Sequence, residues 1–144
     1  MASRASDVRS TGTTGKTLNQ KVGLVFGAVY ILVGLLGFTV SGGNFVGSEG
    51  GLLLGIFEVN GLHNIVHLAI GAALIGAALS SAAASRGVNM TIGAVYLALG
   101  VLGWFIQDTA LDIVALNAAD HLLHLASGIL LIAVARGVGE NRTA

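Results

Sequence analysis

Apolar residues run through this chain in four long blocks, roughly 22–40, 60–82, 89–107 and 117–136, separated by polar connections. Each block is close to the ~20 residues that a helix needs to cross the ~30 Å hydrocarbon core of a bilayer. Lipid offers backbone groups no partners, so helices are the form such blocks take. The ~10-residue alternating strands of a membrane barrel are not present. The pattern therefore predicts an all-α fold, a membrane four-helix bundle. Residues 1–20 are polar and aperiodic and read as a disordered cytoplasmic tail, 21–137 as the transmembrane domain, and 138–144 as a second cytoplasmic tail. A basic stretch before an apolar run also describes a secretory signal. Val22–Val40 is long for a signal core, however, and no small-x-small site ends it cleanly, so it reads as the first span.

The blocks repeat. Gly27, Tyr30, Gly34 and Gly37 in the first recur at the same spacing as Gly93, Tyr96, Gly100 and Gly103 in the third. Asn60, Asn64, His67 and Gly71 in the second recur as Asn117, His121, His124 and Gly128 in the fourth, with His63 matched by Asp120. The bundle thus reads as two parallel repeats of a transmembrane helix pair, 22–82 and 89–136, related by an axis along the membrane normal. The Gly-Ala-Val-Tyr and Asn-x-x-His-x-x-x-His-x-x-x-Gly motifs resemble those of a family of small actinobacterial four-span membrane proteins, grouped as a domain of unknown function. The resemblance covers about residues 20–137. It implies a four-helix integral protein of the plasma membrane and carries no activity, ligand or site residue.

Charge orients the spans. Arg4, Arg9, Lys16 and Lys21 precede the first, Arg86 lies between the second and third, and Arg136 and Arg142 follow the fourth. The other two connections carry no positive residue and hold Glu49, Glu58, Asp108, Asp112 and Asp120. By the positive-inside rule both termini are cytoplasmic. Only 10% of residues are charged, against about a quarter in soluble domains, so lipid is the expected partner. Zero net charge gives no hint of a nucleic-acid partner. With no Cys, thiolate sites and Cys nucleophiles are excluded; with no Pro, no helix is proline-kinked. No metalloprotease, phosphate-loop or dinucleotide motif appears, and no paired carboxylates share a helix face, so no catalytic residue and no enzyme activity is expected. Phe38, Trp104 and Phe105 fit an interfacial aromatic belt, and the Gly-rich loop 41–58, with its apolar Leu52–Phe57 segment, reads as dipping into the interface or extending the second helix outward.

The chemistry lies in the polar stripes. Asn60, Asn64, His67 and Gly71 share one helix face, as do Asn117, His121, His124 and Gly128, and such faces turn inward. Asn60 and Asn117 read as N-caps, with Asp120 completing a capping box. Gly27, Tyr30, Gly34, Gly93, Tyr96 and Gly100 form small-residue packing faces. Helix side chains lean toward their own N-termini, which leaves contact between Tyr30 and His67 open. The leading reading is a structural or accessory bundle with a hydrogen-bonded Asn/His core and no cofactor, associating with copies of itself or a larger membrane complex. The alternative is a redox protein holding b-type haem or a transition metal between His67 and His124, with Gly71 and Gly128 making room for a macrocycle. A third is proton or small-solute transport through the His/Asp cluster, whose ionisable groups stop halfway across.

Overall fold

The computed structural model describes residues 15–139. Four helices dominate: α1 (Leu18–Gly37), α2 (Gly61–Ser80), α3 (Ala82–Ile106) and α4 (Ala118–Ala135), with a two-stranded hairpin, β1 (Gly51–Leu53) and β2 (Phe57–Val59), between α1 and α2. All four helices are long and apolar enough to cross a membrane, which makes this a multi-pass membrane protein. Their packing is that of a bundle solvated by lipid. The buried positions of α1 are Asn19, Gly23, Gly27, Tyr30, Gly34 and Gly37, while Val25, Val29, Leu32 and Leu35 face outward. In lipid, burying an aliphatic side chain gains little, so small and polar residues take the interior.

Capping places the helix ends. Thr17 accepts the Gln20 N–H at 3.3 Å, and the Gln20 side chain accepts the Thr17 N–H at 3.0 Å. This capping box starts α1 at Leu18, so residues 18–20 are helical and do not belong to a disordered tail; residues 1–14 and 140–144 lie outside the described part. Ser81 ends α2 and caps α3, its hydroxyl accepting the Ala84 N–H at 3.0 Å. The third span therefore begins at Ala82 instead of 89, and Arg86 sits in its opening turns. α4 closes in a Schellman turn: Gly137, at φ 87°, donates to Val134 and Val138 donates to Ala133.

Loop 41–58 does not extend α2. Its second half pairs antiparallel, with Gly51 opposite Val59 and Leu53 opposite Phe57, and turns through Leu54 and Gly55 in left-handed conformation. A side chain at Gly51 would strike the Val40 carbonyl, so the hairpin folds back onto the end of α1. Asn60 stops the helix and joins the two loops at this end. Its Oδ1 accepts the His63 N–H at 2.9 Å, and its Nδ2 donates to Gly47 at 2.8 Å and Ile113 at 3.0 Å. Asn117 caps α4 in the same way, but its Nδ2 donates to Ile56 at an exposed position. Losing a cap costs about 1 kcal/mol, and leaving two part-buried carbonyls without their donor adds about 1–3 kcal/mol. Asn60→Ala should therefore lower unfolding free energy in detergent by about 2–4 kcal/mol, and Asn117→Ala by about 1–2 kcal/mol. Equal losses in thermal or denaturant titration would show that Asn60 does not link the loops.

The α1–α2 and α3–α4 pairs each pack through glycine. Gly27 and Gly71 touch backbone to backbone, a Cβ on either coming within 2.8 Å of the other's carbonyl oxygen. Gly93 and Gly128 repeat the contact between α3 and α4, within 3.0 Å. The pairs are antiparallel, since Gly23, Gly27 and Gly34 meet Ala78, Gly71 and Asn64 in turn. Two close hairpins, α1–α2 and α3–α4, thus lie side by side, and α2 and α4 meet mainly through side chains across the middle.

Candidate functional site

Three of the four histidines converge there. His63 and His67 leave α2 one turn apart and His124 reaches in from α4, so that one ring nitrogen of each lies within 4.8 Å of the other two. The three are only 4%, 6% and 5% exposed. Tyr30 meets the His67 ring edge-on at 5.3 Å, Tyr96 lies 4.7 Å from His124, and the tyrosine rings are 5.4 Å apart. The lean of the side chains is overcome because the Gly27–Gly71 and Gly34–Asn64 contacts bring Tyr30 level with His67. Below these rings, toward the chain termini, Leu74 and Phe26 belong to an apolar layer.

The imidazoles are not equivalent. His63 Nδ1 lies 2.9 Å from the Val114 carbonyl, which can only accept, so this nitrogen carries the proton. In the neutral ring Nε2 is left with a free lone pair. The matching position, Asp120, is tied to the other loop with the opposite polarity: its Oδ2 accepts the N–H of Glu58 at 3.1 Å and of Asn117 at 3.0 Å. A carbonyl faces His63 and an N–H faces Asp120, in keeping with a ring that donates and a carboxylate that accepts. Nδ1 of His67 and of His124 are buried with no hydrogen-bond partner. The Tyr30 hydroxyl lies near Ser127 and Tyr96 without a well-formed hydrogen bond.

The other stripe residues serve elsewhere. His121 does not join the cluster: it packs on Trp104 at 5.0 Å, its Nε2 lies 3.1 Å from Gln107 Oε1, and a Cβ at Gly103 would fall on its ring. Asn64 holds the matching place against Gly37 and donates to the Ser41 hydroxyl at 3.3 Å. Asn60, Asn117 and Asp120 belong to the loop cap. Gly71 and Gly128 face α1 and α3, not the gap between α2 and α4, so they make no room for a porphyrin beside His67 and His124.

One polar network escaped the sequence reading. At the end nearer the termini, Asn89 Nδ2 donates to the backbone and side-chain oxygens of Asn19, each at 3.0 Å, and the Ser85 hydroxyl donates to the Asn19 carbonyl at 2.8 Å. Asn19 in turn donates to the Val134 carbonyl at 3.1 Å, joining α1, α3 and α4. The available signal was Asn19 one helical turn ahead of Gly23, on the glycine face.

Metal-ion coordination suits the three-histidine group. Imidazole nitrogens bind zinc, copper, nickel and iron. At metal–nitrogen bonds of about 2.0–2.1 Å, tetrahedral ligands stand about 3.3 Å apart, so the widest pair closes by about 1.5 Å on binding. Three protein ligands leave the fourth position to water or a further ligand. Comparison with curated proteins and with solved structures returns no match. Residues 20–136 match the family described as Domain of unknown function (DUF4383), and the chain belongs to that family.

Proposed function

We propose that this protein binds one late first-row transition-metal ion within the plasma membrane, through His63, His67 and His124. The observation that carries the reading is the pair of buried, partnerless Nδ1 atoms on His67 and His124, beside the oriented His63. A histidine kept only for a hydrogen-bonded structural core finds a partner, because an unmet buried polar atom costs about 1–3 kcal/mol. These rings lack that partner, which favours an ion over the purely structural bundle. Asp120 shares a cleft with all three histidines and offsets part of the ion's charge. Transport has less support: the apolar layer around Leu74 separates the histidines from the Asn19–Asn89 network.

The test is metal analysis of protein purified without a histidine tag, against the His124→Ala variant. One equivalent of metal in the first and none in the second is expected. Metal-free wild-type protein that also takes up no Zn²⁺ or Cu²⁺ would end the reading.

The lysine and arginine distribution supports a topology with both termini cytoplasmic and the β-hairpin outside. Because the chain has no Cys, single cysteines report it directly. In intact cells an impermeant maleimide is expected to label Gly43→Cys, in open space between α1 and β1, and to spare Ala83→Cys, exposed at the start of α3, until the membrane is opened. The reverse pattern would invert the topology.

A further inference from the structure

Two seams of the bundle stay open, as apolar clefts of about 260 Å³ between α1 and α4 and about 290 Å³ between α2 and α3. Each has a loop drawn over its end. Leu53, Leu54 and Phe57 of the hairpin line the first together with Val25, Val29 and Leu123, which face outward to lipid. Leu111 and Ile113 of the α3–α4 loop line the second beside Val66, which also faces outward. The lipid-facing surface of the helices thus runs on into both loops.

The loops are built for apolar surroundings. Leu54 is 76% exposed at the hairpin tip and Leu111 is 71% exposed, and Leu52, Ile56 and Ile113 beside them are exposed as well. Leu54 and Gly55 have φ of 56° and 73°, in a turn closed by the Ile56 N–H donating to the Leu53 carbonyl. A turn with two left-handed residues favours Asn-Gly, and a leucine there is strained. An exposed leucine that the backbone resists gains only where its side chain meets hydrocarbon. Charge agrees with this. The two loops carry no Lys or Arg. Three carboxylates at this end turn onto backbone N–H groups: Glu58 onto Gly50, Asp112 onto Leu116, and Asp120 onto Glu58 and Asn117. The free edge of β2 is covered too. Asn117 Nδ2 donates to the Ile56 carbonyl at 2.8 Å and Asp120 accepts the Glu58 N–H at 3.1 Å, so α4 side chains stand where a third strand would pair. Backbone groups need such partners in lipid, where water supplies none.

We propose that the hairpin tip, through Leu54 and Ile56, and the Leu111 tip of the α3–α4 loop insert among the acyl chains of the adjacent leaflet, closing both seams within the membrane. This goes beyond the metal reading and does not require the ion.

The chain has no Cys, so a nitroxide placed at single cysteines in vesicle-reconstituted protein reports each position. Collision with oxygen, which concentrates in hydrocarbon, is compared with collision with a water-soluble nickel chelate. Labels at Leu54→Cys, Ile56→Cys and Leu111→Cys are expected to give an oxygen-to-nickel ratio near that of Val29→Cys on the lipid face, and about tenfold above Gly43→Cys in open space. Chelator treatment is expected to leave these ratios unchanged. Adding Leu54→Asp to Ile56→Cys is expected to lift the tip and bring its ratio down to that of Gly43→Cys, while Leu54→Asp with Val29→Cys keeps the lipid value and so reports an intact bundle. Loop ratios equal to that of Gly43→Cys would overturn the proposal. So would low collision with both reagents, the sign of a second copy or another protein over the tips, and so would a ratio at Ile56→Cys that Leu54→Asp leaves unmoved.

Discussion

His67→Ala and His67→Gln proteins are expected to purify without the metal that the wild type retains, while His121→Ala keeps it. His67 is one of the three converging rings, 4.7 Å ring to ring from His63 and 6.4 Å from His124. Its removal leaves two ligands on opposite helices, too few to hold an ion that the surrounding apolar side chains cannot solvate. Loss of an outer-shell partner alone weakens metal sites about 10–100-fold, so removing a direct ligand should exceed that. Glutamine keeps volume and hydrogen-bonding capacity, which separates loss of coordination from loss of packing. His121 occupies the α3–α4 contact with Trp104 and Gln107, so its loss touches stability and not metal. Acid should act in the same direction as His67→Ala, because protons compete with the ion for the coordinating nitrogens. Elemental analysis across a pH series checks both effects. Equal metal content in the His67 and His121 variants would sink the assignment.

Gly71→Ala is expected to be the most damaging single-methyl change in the bundle. The added Cβ would sit 2.7 Å from the Gly27 carbonyl oxygen and 3.0 Å from the Ile31 amide nitrogen. Both are backbone atoms held by helical hydrogen bonds, so neither yields as a side chain would. The helices must separate, and the packing that stabilises them in lipid is lost along the seam. Overpacking of this kind costs about 1–3 kcal/mol or more. Separation also moves Tyr30 away from His67, so metal affinity should fall together with stability. Gly76→Ala, on the same helix with nothing within 4 Å, is the control of opposite sign: alanine favours a helix by about 0.5–1 kcal/mol over glycine. Thermal unfolding in detergent should move down for the first and slightly up for the second. If the two variants melted alike, the glycine seam would not be the contact that holds α1 to α2.

Some of this was legible before any coordinates. Hydrophobic run length marks spans, because bilayer thickness sets it. The i, i+4, i+7 spacing puts Asn60, Asn64 and His67 on one face, because an α-helix has no choice about its period. Helix starts were harder to read. Polar residues at helix ends look like loop until a cap is recognised, which hid Asn19 in a supposed tail and placed the start of α3 too late. The hairpin was hidden for a different reason: Leu52, Leu53 and Leu54 look helical as a short apolar run, and only Asn60 capping and the crowding at Gly51 force the chain to turn back.

By itself, the sequence determined four helices and their inward faces, since local periodicity and the cost of polar groups in lipid act on each segment separately. Only the tertiary structure decided which stripe residues meet. His67 and His121 carry the same ring on the same kind of face, yet one lies at the centre and the other against Gly103. The difference is an angular step of a few tens of degrees around each helix axis. The glycine contacts set that rotation, and no single helix encodes it. The same holds for His63, whose donor nitrogen is oriented by a carbonyl 51 residues away. Such a partner enters the site only when two distant loops are closed over one end of the bundle.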